Sequence, residues 1–191
     1  MSDDPSDLAR LRLEYESAGT DRDDLNPDPL IAFATWLDEA RAAGCAEPNA
    51  MVVSVVDPDG WPSARNMLLK GIDNCTFTFF TNYESDKARA LDTTGKAALT
   101  FSWLELHRQV RIVGPCTRTS EAASNEYFEV RPRGSQLGAW ASDQSRPLAD
   151  RGELETRFAD LETEWDNRPV TRPAHWGGYQ VDPQRIEFWQ G

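Results

Sequence analysis

The sequence predicts a mainly β fold with added helices, an α+β arrangement built on a small antiparallel barrel. Two observations lead there. Six or seven short stretches rich in β-branched and aromatic residues are separated by turn residues. Helical patterns are inserted mostly late in the chain, with no regular βαβ alternation and no internal repeat. The 191 residues suit one domain, which would bury roughly 70% of its unfolded surface. Hydrophobic residues make up only 39%, yet seven Trp and eight Phe supply bulky core material, so the chain does not read as disordered.

Residues 1–27 are polar and acidic, with a short helical pattern around Leu8, Leu11 and Tyr15, and read as an arm or flap ahead of a single domain, 28–191. Asp28 then caps a helix with Pro29 at its first position and an apolar stripe of Ile31, Phe33, Trp36 and Leu37; Gly44 stops it. Residues 50–56 (AMVVSVV) form a strand, Asp57-Pro58-Asp59-Gly60 a turn, and 62–70 (PSARNMLLK) the returning strand of a hairpin. Residues 75–81 alternate Thr with Phe, as a strand buried at one end would. Ser85 caps a short helix over 86–92. Strands follow at 97–103 and 108–119, the second interrupted by Gly114-Pro115. A helix from Ser120 and Glu121 to Val130 is broken by Pro132; after residues 133–142 a longer charged helix spans about 147–165. Residues 176–189 read as two strands joined at Asp182-Pro183.

The net charge of −12, from 32 acidic and 20 basic residues, argues against general affinity for nucleic acid or anionic membrane. Any phosphate must meet a local group of cations and backbone N–H donors. The start, Met1-Ser2-Asp3-Asp4-Pro5, has neither a basic nor an apolar run, and no stretch approaches the ~20 apolar residues of a membrane helix. Cys45, Cys75 and Cys116 are scattered and odd in number, against a disulfide framework, and two histidines without C-x-x-C leave little for zinc. The expectation is a cytoplasmic protein. The chain has no G-x-G-x-x-G, P-loop or G-x-S-x-G motif, which removes the main support for a Rossmann unit, an NTPase or an α/β-hydrolase.

Three clusters could carry chemistry. In Arg65-Asn66-Met67-Leu68-Leu69-Lys70, strand alternation sets Arg65 and Lys70 on opposite faces unless a bulge intervenes; in an isolated strand they would read as snorkelling surface cations. Ser85-Asp86-Lys87 follows Phe80-Thr81-Asn82 and makes a helix start suited to phosphate, though an ordinary capped helix looks the same. Tyr127 and Arg131 share a helix face, with Ser135 just past the Pro break and Gln144-Ser145 beyond; an Arg fork with hydroxyls suits a phosphomonoester, and a plain helix-ending charge cluster is the alternative.

In this order the clusters resemble the pyridoxamine/pyridoxine 5′-phosphate oxidase family, FMN enzymes that make pyridoxal 5′-phosphate. The resemblance runs from about Arg12 to Gly191. It takes in Glu47-Pro48-Asn49-Ala50-Met51, the R-x-x-L-L-K run, Arg108-Gln109-Val110, Arg131-Pro132-Arg133-Gly134-Ser135-Gln136 with Gly138-Ala139-Trp140, and Glu187-Phe188-Trp189-Gln190-Gly191. It implies an FMN-binding split barrel working as a homodimer with FMN between subunits. FMN would lie against Arg65, Asn66, Met67, Leu68, Leu69 and Lys70, with Phe80 and Thr81 contributing contacts. Lys87 would meet its phosphate, and Gln109, Gln144, Ser145 and Trp189 would complete the cradle. Lys70, Tyr127, Arg131 and Ser135 would hold the substrate phosphate, and Arg12 and Tyr15 would close over the substrate.

The implied reaction passes hydride from substrate to the flavin and electrons on to oxygen, giving hydrogen peroxide, without a catalytic side chain or metal. Two departures stand out. Asp86 replaces a frequent Arg beside Lys87, which would weaken FMN unless its side chain faces solvent. The family also continues past the position of Gly191 with an Arg-x-His substrate pair and a further FMN-contacting Arg, so the sequence reads as a trimmed form. Another split-barrel flavin oxidoreductase, such as a phenazine-pathway oxidase, and a non-catalytic FMN or pyridoxal phosphate carrier are the competing readings.

Overall fold

The computed structural model describes residues 19–191. Five helices and eight strands occur among them. Helix α1 (Pro29–Ala42) begins where Asp28 accepts a hydrogen bond from the Leu30 N–H at 2.8 Å. Its buried stripe is Ala32, Phe33, Trp36, Leu37 and Ala40; Ile31 falls on the other flank and is 51% exposed, contrary to expectation. The 3.6-residue period excludes it, since one helix side cannot carry 31 together with 33 and 37.

Strands β1 (Ala50–Val56) and β2 (Pro62–Leu68) form the expected hairpin, with Val53 opposite Arg65. Asp57 closes the turn by accepting from the N–H groups of Asp59 and Trp61. The strand expected over 62–70 ends early, because its partner changes. The Leu69 N–H donates to Asn49 before β1, whereas the Lys70 N–H donates to Thr78 on β4 (Thr76–Asn82). A three-residue strand the sequence did not suggest, β3 (Gly71–Asp73), then pairs with β4. Helix α2 (Asp86–Thr94) is capped by Ser85 as expected.

Strand β5 (Lys96–Trp103) pairs along its whole length with β6 (Arg108–Arg118). Gly114-Pro115 does not interrupt β6. Instead the other edge of β6 changes partner there: residues 108–113 pair with β8 (Arg185–Gln190) and 116–118 with β7 (Trp176–Val181). The Asp182 N–H reaches Pro115 and the Gln184 N–H reaches Val113, so the β7–β8 link crosses directly over Gly114. A Cβ at Gly114 would lie 1.8 Å from the Asp182 carbonyl oxygen, so a side chain there would expel the crossing.

Every pairing is antiparallel, and the path runs β2-β1-β5-β6-β7-β4-β3, with β8 branching from β6. The two ends of that path, β2 and β3, are joined through only Leu69 and Lys70, which curls the sheet into the split barrel. In its core Phe33 of α1 packs on Phe77, Phe101 and Trp103, and Phe79 is buried with them. Helices α3 (Glu121–Glu129), α4 (Arg133–Ala141) and α5 (Arg151–Glu164) lie outside and build a second apolar cluster around Phe128, Leu137, Val170 and Trp176. Residues 133–142, left unassigned by the sequence, are thus largely helical, and α5 starts at Arg151 rather than 147 because Asp150, not Pro147, accepts the capping bond. Cys45 and Cys116 are buried thiols, and Cys75 is exposed in the β3–β4 turn.

The outer helices approach β7 closely because Gly177 has no side chain. A Cβ there would stand 2.1 Å from the Tyr83 hydroxyl and 2.9 Å from Ser124 Oγ on α3. Gly177→Ala is expected to lower stability by ~2 kcal/mol and the melting temperature by roughly 5 °C in a thermal scan.

Candidate functional site

A cavity of about 640 Å3 opens at the barrel seam. Its walls come from the end of β2 (Met67, Leu68), the crossover residue Lys70, the end of β4 (Phe80, Thr81, Asn82), the ends of α3 and α4, and Gln144. The sheet topology therefore gathers at one place the three clusters that the sequence spreads over 80 residues. Tyr127, Arg131 and Ser135 all line this cavity.

Behind one wall sits Lys87, with only 6% of its surface exposed. Its ammonium donates to Gln144 Oε1 at 2.6 Å, Thr81 Oγ1 at 2.9 Å and Ser85 Oγ at 3.2 Å, three neutral acceptors. Thr81 in turn donates to Gln144 Oε1, and Ser145 Oγ accepts from the Asp86 N–H at the start of α2. Burial, aided by the nearby Arg65 guanidinium and opposed by Asp86, pushes the Lys87 pKa down to about 8. Arg65 donates to Ser63 Oγ through Nη2, while its Nη1 is buried with no partner among the described residues. Asp86 turns away to an ion pair with Arg89, its side chain 62% exposed.

At the other end, Arg131 lies with its guanidinium carbon 4.4 Å from the Trp176 ring centroid and 5.5 Å from that of Phe128. Its Nη1 is also buried and without a partner among the described residues, and burial pulls its pKa below the usual arginine value. Phe80 and Tyr127 stack at 4.1 Å between centroids and continue onto Trp176. The α3–α4 corner is held by Gln136, whose amide nitrogen donates to the Phe128 and Glu129 carbonyls and so ends α3 where Arg131 must emerge.

Among the described residues, Arg65, Lys70, Lys87 and Arg131 have no carboxylate partner, although Arg108, Arg111, Arg118 and Arg157 all do. Of the first four, Lys70 and Arg131 line the cavity and Lys87 sits behind its Thr81–Gln144 wall, so in a chain with 32 acidic residues positive charge without a carboxylate partner is left beside this cavity. Arg65 Nη1 and Arg131 Nη1 are buried and meet no acceptor among the described residues.

Other expected residues lie elsewhere. Asn66 is exposed and Leu69 is packed in the barrel core. Gln109 and Trp189 are direct cross-strand neighbours on β6 and β8, away from the cavity walls, with Trp189 47% exposed. Arg12 and Tyr15 lie outside the described residues. Trp176 was missed as a site residue: an aromatic opening a strand reads as core, and nothing local marks it as facing a cavity.

A family model described as pyridoxamine 5′-phosphate oxidase matches residues 37–164. A pyridoxine/pyridoxamine 5′-phosphate oxidase from Rubrobacter xylanophilus is 56% identical over 97% of this chain and 85% of its own length. One from Acaryochloris marina is 48% identical over 96% and 84%. Among solved structures, PhzG from Burkholderia lata, in complex with tetrahydrophenazine-1-carboxylic acid, matches with a TM-score of 0.85 at 28% identity, covering 92% of this chain and 86% of that one. A pyridoxamine 5′-phosphate oxidase-related, FMN-binding protein from Nostoc punctiforme shares the fold, with a TM-score of 0.65 at 17% identity over 87% and 86%. With two thirds of its length matched by that family model and relatives of this identity along nearly all of it, the chain belongs to the pyridoxamine 5′-phosphate oxidase family.

Proposed function

We propose that this protein is an FMN-dependent oxidase that converts pyridoxine 5′-phosphate or pyridoxamine 5′-phosphate to pyridoxal 5′-phosphate and reduces oxygen to hydrogen peroxide. The observation carrying this reading is that Lys70 and Arg131 line the cavity while Lys87, with Arg65 nearby, sits behind its Thr81–Gln144 wall, none of them with a carboxylate partner among the described residues. Arg65 and Lys87, with Thr81, Gln144 and Ser145, fit the FMN phosphate. Lys70, Tyr127, Arg131 and Ser135 fit the substrate phosphate. Bound FMN would supply the hydride acceptor. The chain's own task is to orient the substrate and exclude water, with Met67, Leu68 and Phe80 as the apolar part of the wall. Gln109 and Trp189, which are not part of the cavity lining, would reach FMN in a second copy of the chain, as a homodimer with shared sites requires; Arg12 and Tyr15 would cover the substrate. No helix among the described residues is long and apolar enough to cross a membrane, and we place the enzyme in the cytoplasm.

The test is the visible spectrum of FMN-loaded protein without oxygen, before and after addition of pyridoxine 5′-phosphate. Bleaching of the flavin band supports hydride transfer. A persistent oxidised spectrum would favour a different flavin oxidoreductase, the reading that likeness to PhzG supports, or a non-catalytic carrier of FMN or pyridoxal phosphate. The cation set around the cavity favours a phosphorylated substrate.

Two further outcomes are expected. A phosphate beside Lys87 favours its protonated form, so binding requires a proton once the free protein has lost it. FMN affinity should be flat up to about pH 8 and fall above it, by up to roughly tenfold per pH unit, in fluorescence titrations. Asp86→Arg should change FMN affinity by less than about threefold, because the wild-type carboxylate already faces Arg89 and solvent. A tenfold tightening would place that side chain at the phosphate.

A further inference from the structure

Arg131 is an unusual cation. It is half-buried at the end of α3, no carboxylate pairs with it among the described residues, and its Nη1 meets no acceptor. What holds it is aromatic. Trp176, 6% exposed, presents its ring 4.4 Å from the guanidinium carbon, with Phe128 more distant at 5.5 Å. The indole is itself fixed on several sides. Its backbone pairs with Asn82 on β4, and its carbonyl accepts from Arg172 at 2.6 Å. Its ring stacks on Phe80 at 5.4 Å and meets Phe128 edge-on at 5.2 Å.

The distinction between partners matters chemically. A carboxylate would engage the edge of the guanidinium, occupying the N–H groups that a phosphate must use. An aromatic ring engages the face, offsets part of the cost of burying the charge, and leaves the edge free. Trp provides the strongest such face among the aromatic residues.

We propose that Trp176 is a positioning residue for phosphate recognition: its indole face fixes the Arg131 guanidinium so that the edge N–H groups remain available to a phosphomonoester in the cavity. This rests on the substrate reading given above, and names a residue through which that site recognises the phosphate.

The experiment compares wild type, Trp176→Leu and Trp176→Phe, each loaded with FMN and shown by thermal melting to be folded. Two quantities are measured: the kinetics with pyridoxine 5′-phosphate, and the calorimetric Kd of inorganic phosphate. Trp176→Leu should raise KM and the phosphate Kd together by about tenfold, with the loss on KM rather than kcat, while the Kd of FMN stays unchanged. Trp176→Phe should recover most of that loss, since a ring face remains. Unchanged phosphate Kd in Trp176→Leu would overturn the proposal, as would a weakening of FMN and phosphate by equal factors, which would mark a general loosening of the fold. A wild type that binds phosphate in a Trp176-dependent way but does not oxidise pyridoxine 5′-phosphate would overturn the substrate reading and support the role of Trp176.

Discussion

Lys87→Met should weaken FMN binding by roughly 100-fold at pH 7, while the melting temperature of the FMN-free protein does not fall. The two halves of this prediction have one cause. Lys87 is a buried ammonium surrounded by hydroxyl and amide oxygens rather than a carboxylate. Holding a charge in that setting opposes folding, which is why its pKa drops to about 8. A methionine of similar length removes the charge and fills the same space. Binding loses a charge-assisted contact to the phosphate, worth about 1.5–3 kcal/mol and strengthened by the low local dielectric. Fluorescence titration of FMN and thermal melts of the apo-protein check both halves. A variant that binds FMN normally would remove Lys87 from the flavin site. One that melts much earlier would make it a structural strut between α2, Thr81 and Gln144.

Arg131→Ala should raise KM for the phosphorylated substrate by roughly 100-fold and leave the Kd of FMN within about twofold. Arg131→Lys should recover little, because an ammonium can neither form the fork nor lie flat on Trp176. The measurement is steady-state kinetics at saturating FMN, with FMN affinity determined separately. Loss of FMN with unchanged KM would exchange the roles assigned to the two ends of the cavity.

Both predictions concern residues whose chemistry could be read locally and whose environment could not. The Ser85-Asp86-Lys87 start of α2 is recognisable as a capped helix able to meet an anion, and Ser85 does cap it. The shortest hydrogen bond of Lys87, however, runs to Gln144, 57 residues away, and no local pattern encodes that distance. Arg65 looked like a surface cation because alternation in a lone strand says nothing of what covers each face. The resemblance to a family pointed to Lys70, Phe80, Thr81, Tyr127, Arg131 and Ser135, which line the cavity, and to Asn66, Leu69, Gln109 and Trp189, which do not; it did not point to Trp176, whose part depends on a ring packed between three others.

Elements missed by the sequence share a reason. Strand β3 has three residues, too few for any alternation to show. Residues 133–142 contain two glycines, which lower helix propensity, yet packing of Leu137 and Ala141 holds them in α4. Pro147 had the look of a first helical residue, but Asp150 offers the carboxylate that the first free N–H groups need.

Taken alone, the sequence determined what depends on near neighbours: helix caps at Asp28, Ser85 and Ser120, the β1–β2 hairpin with its Asp57 turn, and the alternation of the main strands. Only the tertiary structure decided where backbone partners change. At Leu69–Lys70 the chain leaves β1 for β4, and at Gly114-Pro115 strand β6 leaves β8 for β7. A backbone N–H is chemically the same at every residue, so its choice of partner is set by the strands that closure of the barrel brings alongside. The first of those changes of partner places Lys70 at the seam, and the seam is where the cavity lies.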